Sequence, residues 1–426
     1  MIEGLGCRPD LRHFRRPSSY RDGLGDDREA AIAFVLALGR ALHRYGTPAH
    51  RLEEGLNRVT RKLEVEAEVF TTPTAIIMSF GRPEELNTRL MRVEGGELDM
   101  GKLAQVDDLA DDVLAKEITP AEGMRRLDAI IAGAPHFGHG LSTFVHGVVA
   151  AGLAVFFGGS IHDVALAGAI GIVLGLLAQS LLASTDQARV LELIGAAFAS
   201  FTADVFSTTT THITPSIVTL AALVVLLPGM SLTVAVTELA TRNLIAGTAR
   251  LMSALIVLFL LVIGVGLGEQ VAHAVVHVDH ITWPRPLPEW ANWVALAASG
   301  LGSAVLVQAR FREFGWIVAA CVVGYVGTRL GTVWLDSQLG VIVGAFALGV
   351  LANGYARVLD RPAQVLTVPA MLLMVPGGMG LRGMSSLLGH DTLTGVETLF
   401  AMFMVATAIA AGLLIASAVV SPRRSL

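Results

Sequence analysis

Four charged side chains lie within or beside apolar runs, where charge is costly and chemistry is to be sought. Glu192 and Asp204 fall in VLELIGAAFASFTADVF, and Glu238 and Arg250 in LLPGMSLTVAVTELATRNLIAGTARL. A charge at the centre of a bilayer costs at least about 2.5 kcal/mol on insertion scales, so such a residue ordinarily faces a partner or a water-filled cavity. Glu192 and Asp204 are twelve residues apart in one apolar run. On a helix that places them about 18 Å apart along the axis and about 120° apart around it, too far for a carboxylate pair. Glu238 and Arg250 are also twelve apart, but a turn at about 242–245 lets their side chains meet. A carboxylate whose surroundings change between two states of a protein can take up and release a proton. Glu238, Asp204 and Glu192 are therefore the candidate proton-coupling groups. Glu192, near the end of its run, reads equally well as a surface anchor.

The backbone offers a second kind of chemistry. The apolar run Ile217 to Leu227 stops at Pro228-Gly229, and Pro376-Gly377 repeats the break 148 positions later. At the same spacing Thr367 answers Thr219, Gly395 answers Gly247, Leu399 answers Leu251 and Gly412 answers Gly264. Proline removes a donor and glycine admits left-handed backbone, so a helix meeting this pair is broken or turned. A helix end at membrane depth presents unpaired N–H or C=O groups, which suit a zwitterionic ligand. Pro228, Gly229, Pro376 and Gly377, with Arg250, are the candidate substrate-binding residues. Ordinary helix ends at a membrane surface are the plainer alternative. Ser386 and Thr398 stand where the repeat would place Glu238 and Arg250, so any charge-based role belongs to the first half alone.

Other reactive side chains carry less. His146 sits one turn into an apolar run and reads as a hydrogen-bonded structural residue; His136, His139, His162, His273, His277 and His280 lie near run ends without metal-site spacing. Ser207 to Thr211 is a hydroxyl-rich polar mouth, and Glu53-Glu54 a solvated helix face. Cys7 and Cys321 form neither a disulfide framework nor a thiolate site. Neither a nucleotide loop nor a catalytic triad is visible, so no cofactor, metal or enzymatic activity is expected.

The composition of the chain says what must position these groups. Residues 1–135 carry 42 of the 67 charged residues, and the remaining 291 residues carry 25. A mean hydropathy of +0.62 places the whole in the membrane class. A net charge of −5 and the lack of a basic patch with aromatics argue against nucleic acid as a partner. Residues 1–27 read as a disordered polar tail. Residues 28–135 read as a cytosolic α+β domain: helices near 28–45 and 48–63, the second opening on Thr47 as cap with Pro48 at its first position, three short strands within 64–93, and helices near 102–116 and 121–131. Ten apolar segments follow, five within 140–268 and five within 290–420. Arginines number nine on one set of connections and three on the other, which puts both termini in the cytoplasm. Five is odd, so two five-helix repeats would be inverted, a transporter architecture. Gly-x-x-x-Gly spacings at Gly171 to Gly175 and Gly264 to Gly268 permit close helix contact within a chain or in a homo-oligomer.

These residues resemble the threonine/serine exporter family in its fused, two-half form. YGTPAHRLEEGLNRV, with Gly46 and Glu53, resembles the family's opening helix pair, and TTPTAIIMSFG its strand pair. The block with Pro228, Gly229, Glu238, Gly247 and Arg250 resembles LVPG…D/E…G-x-x-R, and VPAMLLMVPGG, with Pro369, Pro376 and Gly377, the second-half motif. The resemblance spans about residues 30–420. It implies export of threonine and serine across the inner or plasma membrane, driven by protons; some split relatives are associated with succinate. A membrane-anchored enzyme or sensor is the rival class, but an anchor needs neither paired breaks nor intramembrane acids.

Overall fold

The computed structural model describes residues 23–82, 85–93, 95–96, 98–181, 185–210, 212–276, 285–336, 338–374 and 377–421. Pro376, Arg423 and Arg424 lie outside them, as do residues 1–22 of the expected tail. Residues 23–27 of that tail already belong to the first helix.

An α+β portion comes first: α1 (Gly23–Arg44), α2 (Ala49–Lys62), strands β1 (Ala67–Thr72), β2 (Ala75–Phe80) and β3 (Asn87–Arg92), then α3 (Met100–Leu114) and α4 (Pro120–Ala132). The strands form an antiparallel sheet in chain order, with Ile76 opposite Met91. Alternation along β2 buries Ile76, Met78 and Phe80 in a core shared with Phe34, Leu38, Leu52 and Leu56. The cap of α2 differs from expectation. Pro48 is extended (φ −60°, ψ 150°) and is itself the cap, and the helix starts one residue later. Glu53 is no solvated face either: its carboxylate accepts from the Thr71 N–H and hydroxyl (2.7 and 3.1 Å) and clips α2 to β1. Glu54 alone is exposed and pairs with Arg58.

The remaining helices are α5 (His139–Phe156), α6 (Ile161–Leu181), α7 (Thr185–Ser207), α8 (Pro215–Ala222), α9 (Gly229–Ala240), α10 (Leu244–Val275), α11 (Trp290–Leu306), α12 (Phe314–Trp334), α13 (Val341–Leu359), α14 (Gln364–Met374), α15 (Gly377–Leu388) and α16 (Thr392–Val419). Among the described residues, eight helical stretches are long and apolar enough to cross a membrane. The two other apolar segments are α11, with 17 residues, and the pair α8 and α9, each too short alone. Helix α10 runs on to Val275, seven residues past its apolar run, which shortens the histidine-containing connection.

The spacing of 148 persists in the backbone. Helix α9 starts on the glycine of its Pro-Gly pair; Gly377 is the first described residue of α15, and residues 375–376, where the second break is expected, lie outside the described residues. The turn after each is closed by a left-handed residue, Arg242 (φ 65°) and His390 (φ 63°), again 148 apart. Gly247 and Gly395 then sit against Leu239 and Leu387, where a Cβ would lie 2.7 and 2.6 Å from the leucine Cγ. Both Gly-x-x-x-Gly spacings are used within the chain, Gly171 and Gly175 against α5, Gly264 and Gly268 against α7. They therefore supply no argument for an oligomer.

Two attachments fix the α+β portion to the helices. On one, Asp108 of α3 pairs with Arg361 (2.6 Å) and Arg310 (3.8 Å), and the Met100 N–H donates to Val307 O (2.8 Å). The other is at Glu238. At the far end of the first helix group, the buried Asp163 accepts from the N–H groups of Ser160 and Thr214, each at 2.7 Å, and holds the start of α8. Asp163→Ala leaves one buried and one part-buried donor unpaired and is expected to cost about 2 kcal/mol, read as a lower unfolding temperature in detergent.

Candidate functional site

Helix α9 turns one face, Met230, Ser231, Val234 and Thr237, toward a cavity of about 350 Å³. Glu238, next along, is fully buried. The turn closed by Arg242 folds α10 back along α9, which brings Arg250 beside Glu238. Arg250 Nε donates to Oε2 (3.0 Å) and Nη2 to Oε1 (3.1 Å), a bidentate pair with the arginine 27% exposed. This planar fork is the strong form of the ion pair, because two aligned bonds share one charge interaction.

A third bond reaches the carboxylate from a distant part of the chain. The Ala49 N–H, first in α2, donates to Glu238 Oε1 at 3.1 Å. The first N–H groups of a helix have no partner within it, and the helix dipole favours an anion there. Glu238 therefore does for α2 what a capping side chain ordinarily does, from 189 positions away. Thr47, expected to be that cap, is buried with its hydroxyl unpartnered.

The cavity lies where these parts meet. Its walls come from the α1–α2 turn (His43, Gly46, Thr47, Pro48, His50, Arg51), from α9 and Arg250, from α14 (Gln364, Thr367, Met371), and from Asn353 of α13 and Ser417 of α16. His43 and His50 are held neutral near pH 7 because burial lowers both, His50 to about 4.

Two family models match this chain in series. One, described as "Putative threonine/serine exporter", matches residues 33–272; the other, "Threonine/Serine exporter, ThrE", matches residues 292–419. The chain belongs to the threonine/serine exporter family. The gap between the two matches runs from the end of α10 to the start of α11, so each match takes in one Pro-Gly pair. Among curated relatives, "Pheromone-regulated membrane protein 10" of Saccharomyces cerevisiae is 29% identical over 81% of this chain and 46% of its own length. The protein of that name in Candida glabrata is 27% identical over 86% of this chain and 48% of its own, and that of Zygosaccharomyces rouxii 26% over 91% and 43%. The chain thus spans about half the length of the curated relatives it matches. No solved structure matches.

Within this family member, the sequence-derived candidates separate into groups. Glu238 and Arg250 are brought together. Gly229 and Gly377 are too: a Cβ on Gly377 would lie 3.2 Å from Gly229 Cα and 3.0 Å from Leu227 Cβ. Pro228 caps α9 (φ −79°, ψ 32°) at this meeting point. Asp204 is buried in α7, and Glu192, half-buried in the same helix, has one carboxylate oxygen without a partner among the described residues. Neither lines the cavity. Ser207, Thr208 and Thr209 turn their hydroxyls back onto carbonyls of α7 (2.6–2.7 Å), so this stretch closes a helix end. His146 Nδ1 bonds Ser142 O (2.7 Å), the structural role expected.

Sequence reasoning missed Ala49, because the group that acts is a backbone N–H. It also left out Thr47, Arg51 and Gln364 as wall residues, since only packing places the α1–α2 turn over α9. Ala49→Pro isolates the backbone contact. Proline is favoured at a first helical position, and the extended Pro48 already suits a following proline. The substitution deletes the donor and sets a ring against Glu238. We expect a loss of about 1–2 kcal/mol in thermal unfolding, and faster proteolysis at the 46–50 turn, with helix content unchanged.

Proposed function

We propose that the protein is a secondary transporter that exports small hydroxy amino acids, threonine and serine, in exchange for protons. The observation that carries this reading is the close approach of α9 and α15 at Gly229 and Gly377, the glycines of the two Pro-Gly pairs. Broken helices at membrane depth are tolerated where they line a path, and their paired ends are where transporters of this architecture hold a solute. On this reading the ten apolar segments, α8 with α9 and α14 with α15 each counting as one, form two inverted five-helix repeats. Residues 28–135 and both termini face the cytoplasm, as the arginine bias expects, and the membrane is the inner or plasma membrane. Pro228, Gly229, Pro376, Gly377 and Arg250 line the solute's route. Glu238 is the proton-coupling group, with Asp204 and Glu192 in reserve.

A second reading keeps the transporter and makes the solute a small dicarboxylate such as succinate. Three arginines in the cavity wall, Arg44, Arg51 and Arg250, favour it. Counterflow of labelled threonine, serine and succinate into liposomes separates the two. Threonine and serine exchange is the expected result; succinate exchange alone would transfer the protein to the second reading.

A further inference from the structure

We propose that the cavity between the α1–α2 turn and helices α9 and α14 is a binding site for a small carboxylate-bearing solute, with Arg51 as the main anion-holding residue. The inference rests on the transporter reading and extends it, since it puts half of the solute site outside the membrane helices. Three observations carry it.

The first is size. A cavity of about 350 Å³ is within the range of small-molecule sites, and it is walled by two separate parts of the chain. The second is charge. Arg44, Arg51 and Arg250 line it, and no carboxylate does among the described residues; Glu238, which follows the wall residue Thr237, is turned into its own three-bond cluster. The Arg51 N–H donates to Pro48 O (3.1 Å), but its guanidinium makes no hydrogen bond or ion pair among the described residues. Burial lowers its pKa, with only partial compensation from Glu54, itself engaged by Arg58. A partly buried guanidinium that faces a cavity without an ion pair of its own is a site for a carboxylate from outside, and its fork matches one in two bonds. The third is unspent hydrogen bonding. Thr47 Oγ1, His43 Nδ1, His50 Nδ1 and Gln364 Nε2 are four wall atoms that are buried without a partner. Each unmet group costs about 1–3 kcal/mol, and a polar ligand that engaged them would recover part of that. Neutral histidines can accept as well as donate, so the ammonium or hydroxyl of an amino acid is served, while a second carboxylate finds Arg250 or Arg44.

The purified full chain tests this by titration calorimetry with L-threonine, L-serine, succinate and the carboxylate-free amino alcohol 2-amino-1,3-butanediol. At least one carboxylate should bind below about 10 mM and the amino alcohol should not. Threonine or serine binding identifies the amino acid as the source of the carboxylate, and succinate binding the dicarboxylate. Arg51→Gln should weaken binding at least tenfold, and Gln364→Leu, on the opposite wall, severalfold. In wild-type protein the bound solute should also protect Arg51 from phenylglyoxal, read by mass spectrometry, which requires no variant to fold. Equal affinity in both variants, unprotected Arg51, or no carboxylate binding at all overturns the site. Flux in liposomes separates this from the transporter reading. Exchange with unchanged KM in Arg51→Gln removes the site and leaves the transporter, whereas binding without flux removes the transporter and leaves the site.

Discussion

Gly377→Val is expected to abolish solute flux in protein that still inserts and purifies folded. The hydrogen on Gly377 faces backbone: a Cβ there would lie 3.2 Å from the Cα and 3.3 Å from the N of Gly229, and 3.0 Å from Leu227 Cβ. Valine adds two methyl groups beyond that Cβ, so the starts of α9 and α15 must separate. Overpacking of this kind costs about 1–3 kcal/mol, which the many other contacts of these helices can absorb. The route between the breaks cannot absorb it, because displacing positioned groups by about 1 Å can cost about 100-fold in rate. Gly229→Val should act alike from the other side. Liposome flux and unfolding temperature, measured on the same preparations, check both. Normal flux in both variants would return the Pro-Gly pairs to plain helix ends.

Glu238→Gln should lose gradient-driven export while keeping exchange at equal pH on the two sides. Glutamine keeps the shape but cannot titrate, and its amide gives only one oxygen to three donors: the two of Arg250 and the Ala49 N–H. One donor must then face the NH2. Removing one partner of a buried pair costs about 3–5 kcal/mol; Arg250 reaches solvent, so a loss of about 2 kcal/mol in unfolding is expected here. Proton coupling by Glu238 requires that the cluster open and close during transport. Because Ala49 is one of its donors, opening must also release the start of α2. If export persists in Glu238→Gln with its usual pH dependence, the coupling group is another acid, and Asp204 is the next to test.

The sequence by itself determined the elements and the kind of protein. Apolar run lengths marked the membrane-class helices, β-rich composition at 74–80 marked β2, and the first Pro-Gly pair marked the start of α9, because each of these follows from local composition or local backbone chemistry. The turn between Glu238 and Arg250 was legible for the same reason. What only the tertiary structure decided was which surfaces meet. A Thr-Pro dipeptide looks like a helix cap wherever it occurs, but in this chain the donor of α2 is taken by a carboxylate 189 residues on. Glu53 looked solvated because a helix face does not reveal that Thr71 covers it. The cavity has walls from α1, α2, α9, α13, α14 and α16, so no window of sequence contains it. Burial and pairing depend on long-range contacts, and these become fixed only when the α+β portion settles onto the helices.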